Sequence, residues 1–160
     1  MALGDNTLRS AAGNSQRGRN PYMVQTTLNW ATALSDKGTA LAAADVVPVI
    51  AVPKGTMILN AGIEVDTATD GSTFTVDLGT GVDPDVFVDG FDATSAAAVV
   101  AQNPAAYQPV MAVADDNIDV TIATLSGGAV TSGKFRVWAV MMDCTDVGDT
   151  AANEVARDNA

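Results

Sequence analysis

The sequence predicts an all-β protein, an antiparallel β-sandwich or jelly roll of about eight strands, and three observations lead there. Apolar and polar residues alternate with period two along several short segments. Gly, Asp, Asn and Pro clusters punctuate those segments every 8–15 residues or so. No periodicity of 20–50 residues recurs, which argues against solenoids and propellers. The idiom is plainest from Met57 to Gly79, where Ile63 and Val65 alternate with Glu64 and Asp66, and Phe74, Val76 and Leu78 with Thr73, Thr75 and Asp77. Between the two runs stands Ala68-Thr69-Asp70-Gly71. Alternation closed by an Asp-Gly turn predicts an antiparallel hairpin with one buried face.

The remaining elements follow in order. Residues 1–21 are rich in Gly, Asn, Ser and Arg without periodicity and predict an extended N-terminal arm, closed by Pro21. Tyr22 to Ala33 reads as a long first strand, at a sheet edge or exchanged with a neighbouring subunit. Ser35 to Asp45 is ambiguous, with a turn at Asp36-Lys37-Gly38 and one helical turn over Ala40–Ala44. Val46–Val52 is a strand in which Pro48, unable to donate to a ladder, requires an edge or a bulge. Val86–Val88 makes a very short strand between Asp-rich turns. Thr94–Asn103 is compatible with a short capped helix or a loop. Tyr107–Ala114, Ile118–Leu125 and Lys134–Cys144 complete the strands, and the last is apolar on both faces beyond Arg136, which predicts an interior position. The sandwich domain thus spans residues 22–146, and 147–160 form a C-terminal tail with no apolar pattern.

Composition narrows the function. The 160 residues suit one domain, and charged residues are only 17% of them, a weakly charged Ala/Thr/Val/Gly-rich chain of the kind that packs against copies or partners. The net charge of −11 is uneven: Arg9, Arg17 and Arg19 against Asp5 give +2 over residues 1–22, and five basic against eighteen acidic groups give −13 over the rest. An acidic body repels nucleic acid and anionic membranes. The basic arm is either a reach towards an acidic neighbour or a solvated terminus. No apolar run approaches the length of a membrane span and no signal-peptide core is present, so the expectation is synthesis in a reducing cytoplasm.

Chemistry-bearing constellations are few. With no histidine and one cysteine, His-based catalysis, structural zinc and an internal disulfide are excluded. Asp83, Asp85, Asp89 and Asp92 crowd a short segment, but their spacing is not that of an EF-hand loop, and aspartate is a preferred turn former. Cys144 stands beside Asp143 and Asp146, which raise a thiol pKa, so it reads as structural. Gly79-Thr80-Gly81 and the glycine-rich Ser126–Gly133 loop neither open a helix nor precede a P-loop lysine. Trp30 and Trp138 read as core or subunit-contact residues. No catalytic site, cofactor site or metal site emerges, and the expectation is a non-enzyme.

Arg19-Asn20-Pro21-Tyr22, the run VPKGTMILNAGIEVDTATDGSTFTVDLGTG, the acidic VFVDGFDATSAA and the closing GKFRVWAVMMD together resemble the capsid cement, or decoration, proteins of tailed bacteriophages. The likeness spans about residues 17–143. It implies a homotrimeric sandwich or jelly roll in the virion, on the capsid exterior, where major capsid protein subunits meet. On that resemblance Arg9, Arg17, Arg19 and Tyr22 are the expected capsid-binding arm, and Trp30, Trp138 and Met142 the expected subunit interface. The alternative is a head fibre or receptor- or glycan-binding virion protein, using Asp83–Asp92 and Ser126–Gly133 as binding loops with Phe87 and Phe91 as their aromatics.

Overall fold

A computed structural model describes residues 20–96, 99–101 and 109–144 of the chain. The expected arm arginines Arg9, Arg17 and Arg19 and the tail lie outside the described residues. Among these described residues nine strands and one helix follow in order: β1 (Tyr22–Asn29), α1 (Trp30–Lys37), β2 (Val46–Val52), β3 (Thr56–Thr67), β4 (Thr73–Thr80), β5 (Val88–Asp92), β6 (Val99–Ala101), β7 (Val110–Met111), β8 (Asp116–Ser126) and β9 (Lys134–Asp143). They form two antiparallel sheets. One has the order β1-β9-β3-β6, with β7 also on β3; the other has the order β2-β8-β4-β5. Since β6 and β7 pair with the same edge of β3, they act as one interrupted strand. The first strand then lies beside the last, and the second beside the penultimate, which is the strand order of a jelly roll.

The inner faces meet in one core. Ile58, Ile63, Val65, Phe135, Val137 and Met141 from the first sheet face Phe74, Val76, Leu78, Ile118, Val120 and Ile122 from the second. Trp30 sits among them, its ring edge-on to Phe74 at 5.0 Å and to Phe135 at 5.4 Å. Such aromatic contacts add to the area each ring buries.

Several expectations are corrected. The Met57–Gly79 segment is not a hairpin: β3 and β4 lie in opposite sheets, and the link between them arches over the core. Alternation records only that one face of each strand is buried, a condition met equally by zipping two strands together or folding one over the other. The link is held by the β8–β9 loop. The Asp70 carboxylate accepts the N–H groups of Thr131 (2.8 Å) and Ser132 (3.1 Å) and the Thr131 hydroxyl. These bonds, led by that hydroxyl, lower the Asp70 pKa to about 2.

The first strand ends at Asn29 rather than Ala33. There the Asn29 side chain accepts the Ala31 N–H at 3.0 Å and starts α1. Gly38, at φ +70°, ends that helix by donating to the Leu34 carbonyl. The expected helical turn at Ala40–Ala44 is a non-helical connection, tied down by Asp45, which accepts the Ala42 N–H at 2.7 Å and pairs with Lys37. Of the Thr94–Asn103 segment, residues 99–101 are strand, not helix. Tyr107–Ala114 contributes only the two residues of β7 among those described. Val86–Val88 shifts to β5, which starts at Val88. By contrast β1 is an edge strand, β9 is interior, and Pro48 lies on an edge strand beside a register shift, all as expected.

Candidate interaction surfaces

The two outer faces of the sandwich differ in chemistry. In the strands of the first sheet, Lys134 and Arg136 stand against Glu64, Asp66 and Asp143, which sums to −1. The strands of the second sheet carry Asp77, Asp89, Asp92, Asp116 and Asp119 and no basic residue, which sums to −5. Ladder register then fixes what each face presents.

On the outer face of the first sheet, β9 contributes Arg136, Trp138, Val140 and Met142, the positions between its buried residues. Trp138 stands between Gln25 and Gly62, Val140 between Met23 and Asn60, and Met142 beside Met57, with Met111 next across β7. Met23 is 62% exposed, while Trp138 and Met142 are half-buried. Arg136 pairs with Glu64 at 3.1 Å directly across the ladder. The result is a methionine-rich stretch of surface in which Arg136 and Glu64 satisfy each other. Exposed apolar side chains on a sheet face form a surface that another chain can cover.

The outer face of the second sheet is acidic. Burial raises the Asp77 pKa, and Asp89 and Asp85 add to the shift, against the Gly90 N–H that Asp77 accepts at 2.7 Å. Burial and the charge of Asp116 raise Asp119 in the same way. Asp83 is raised chiefly by its hydrogen bond with Asp85. Asp92 moves the other way, because its carboxylate accepts both the N–H (2.9 Å) and the hydroxyl (2.7 Å) of Thr94. The Asp83–Asp92 segment therefore uses its carboxylates partly to cap turns. No cluster of three or more metal-binding side chains occurs among the described residues.

One end of the sandwich carries an open groove of about 450 Å³, lined by Val52, Ile58, Val110 and Met111, with Val82 and Val113 on its lips and Asp115 and Asp116 at its rim. Its shape is kept by the Lys54 N–H, which donates to Asp115 at 2.9 Å, and the Gly81 N–H, which donates to Asp116 at 3.3 Å.

Tyr22 opens β1 opposite Met141 and is 42% exposed. Trp30, expected at a subunit interface, has no exposed surface, and the core alternative is the one it fills. Cys144 is half-buried and its N–H donates to the Gly55 carbonyl at 2.8 Å, closing the end of β9. The Ser126–Gly133 loop buries Val130 completely and supplies the donors to Asp70, so it seals the core. Phe87 is fully buried and Phe91 half-buried against the core, which removes the aromatics expected of a glycan-binding loop. Sequence reasoning missed Met57 as the cross-strand partner of Met142, with Met111 beyond it on β7 and Met23 opposite Val140 on β1, because only cross-strand register brings them onto one face.

No family model matches the chain, and no curated protein does. Solved structures do. A chain of the cyanophage Pam1 capsid asymmetric unit superposes with a TM-score of 0.60 at 16% identity, covering 88% of this chain and 97% of that one. A chain of the capsid of Ralstonia phage GP4 gives a TM-score of 0.54 at 17% identity, covering 87% of this chain and 90% of that one. This fold occurs in phage capsids.

Proposed function

We propose that this protein is a structural, non-catalytic component of a phage virion, a cement or decoration protein seated on the capsid exterior where major capsid subunits meet. The observation that carries the reading is the match of fold over nearly the full length of chains from two phage capsids. The chain's own surfaces agree with it. Its acidic face repels nucleic acid, which suits the outside of a shell, and its apolar face suits contact between protein chains.

In this reading copies associate as a homotrimer through Trp138 and Met142 on the outer face of the first sheet, the side with the least net charge. Arg9, Arg17, Arg19 and Tyr22 anchor the arm to the capsid. Three weak attachments then act together and gain avidity. A protein that binds only the mature lattice stabilises it by mass action.

The test uses purified protein and empty shells of the major capsid protein from the same phage. Co-sedimentation, and a higher shell melting temperature with protein bound, are expected. Arg17→Glu with Arg19→Glu is expected to weaken binding by tenfold or more, about 1.4 kcal/mol. Shells that neither bind the protein nor gain heat resistance would overturn the reading, and binding to host cells in their place would favour the head-fibre alternative.

A further inference from the structure

An exposed strand edge offers a row of free N–H and C=O groups, and proteins ordinarily guard such edges with charge, proline, bulges or brevity. Three of the sandwich's four edges are guarded in these ways. β2 carries Pro48 and a register shift between Pro48 and Ile50. β5 carries Asp89 and Asp92, and its pairing with β4 is irregular between Val76 and Leu78. Among the described residues the edge beside β3 holds the three of β6 and the two of β7.

Among the described residues β1 has no such device. Its eight residues, YMVQTTLN, include no charge and no proline, and its ladder to β9 runs without a shift. Among the described residues no strand pairs with its other side.

The ladder also shows which backbone groups are free. The Trp30 N–H donates to the Gly133 carbonyl at 3.1 Å, and this pair continues the β1–β9 register. In an antiparallel ladder hydrogen-bonded pairs alternate with non-bonded ones. Leu28, Thr26, Val24 and Tyr22 therefore spend their main-chain groups on β9, while Met23, Gln25 and Thr27 turn theirs to the open side. Three donors and three acceptors stand there at two-residue spacing, with the exposed Met23 side chain beside them.

We propose that this edge of β1 takes up an extended, uncharged strand of a major capsid subunit, adding it to the first sheet by main-chain pairing. The proposal rests on the capsid-binding reading above and names the element that makes the contact. Charge argues against a second copy as the occupant. Pairing two copies edge to edge would continue both sandwiches and set their acidic second sheets side by side, each with five aspartates and no basic residue in its strands.

The test compares wild-type protein with Gln25→Pro in co-sedimentation with major-capsid-protein shells, alongside circular dichroism and mass in solution. The Gln25 N–H is not used by β9, so the substitution is expected to leave the fold and mass intact and to lower shell affinity roughly tenfold or more. Should Gln25→Pro fail to fold, Met23→Lys with Thr27→Lys places charges along the same edge without touching the ladder, with the same expected loss. If wild type binds and the folded variants bind equally well, the edge proposal falls while the capsid reading stands. If wild type does not bind, the capsid reading itself fails. A fall in solution mass with Gln25→Pro that Trp138→Ala does not produce would assign the edge to a second copy and overturn the capsid strand as its occupant.

Discussion

Trp30 and Trp138 are separated in role by their surroundings. Trp30 is enclosed between Phe74 and Phe135 and has no exposed surface. Its removal leaves a large cavity where the two sheets and α1 meet, so Trp30→Ala should cost about 3–5 kcal/mol. For a domain of this size that lowers the thermal midpoint by roughly 10 °C or more, read by circular dichroism or calorimetry. Trp138 lies on the outer face between Gln25 and Gly62, where truncation opens no internal cavity. Trp138→Ala should cost only about 1–2 kcal/mol of chain stability, yet lower the mass by light scattering from about three chains to one if copies meet there. A large stability loss with unchanged mass would remove Trp138 from the interface. From sequence the two tryptophans looked alike, since each sits in a β-favouring run. What separates them is the helix that starts at Trp30, signalled only by the Asn29 cap and Gly38.

At the scale of elements, the arch between β3 and β4 is the feature most exposed to a single change. Asp70 ties it to the β8–β9 loop through three acceptor contacts at an exposed site, so Asp70→Ala should cost about 1 kcal/mol. Gly133, on the other side of that corner, has φ +133°, and an added Cβ would lie 2.8 Å from Thr69 Cγ2 and 3.2 Å from Trp30 Cδ1. Gly133→Ala should therefore cost more, about 2–3 kcal/mol, from backbone strain and the clash together. Urea midpoints of the two variants check the order, and a Gly133→Ala protein as stable as wild type would show that the corner yields. The same corner shows the reach of sequence reading. Period-two alternation located β3, β4, β8 and β9 to within a few residues, because burial of one face is a local pattern. It assigned β3 and β4 to one hairpin, because pairing is decided by contacts about 60 residues away, from Asp70 to Thr131 and Ser132. Likewise the edge position of β1 follows from its start beside the N-terminal arm. Which of its backbone groups are free depends on its register with β9, more than a hundred residues on.

Across the whole molecule, the acidic surface gives stability a pH dependence with two limbs of opposite sign. Asp45, Asp70 and Asp92 have folded pKa values below 3.8, the first through its bonds to Lys37 and Ala42. Their contribution is complete above the unfolded value and is lost as pH falls through the lowered ones, which for Asp70 means down to about 2. Asp77, Asp83 and Asp119 are raised, so just above 3.8 the folded chain binds more protons than the unfolded chain. There stability grows as pH falls from neutrality, and relief of the net charge of −11 acts in the same direction. The expected profile rises as pH falls from neutrality towards the raised carboxylates, then drops below 3.8 towards the Asp70 value of about 2. Thermal midpoints at constant ionic strength trace it, and a steady decline from neutrality would show that the raised aspartates do not govern the upper limb. Asp119→Asn separates the two limbs. It deletes a charge that burial and Asp116 disfavour, so it should raise stability at pH 7, flatten the rise between neutrality and the maximum, and leave the acid limb, set by Asp45, Asp70 and Asp92, where it was.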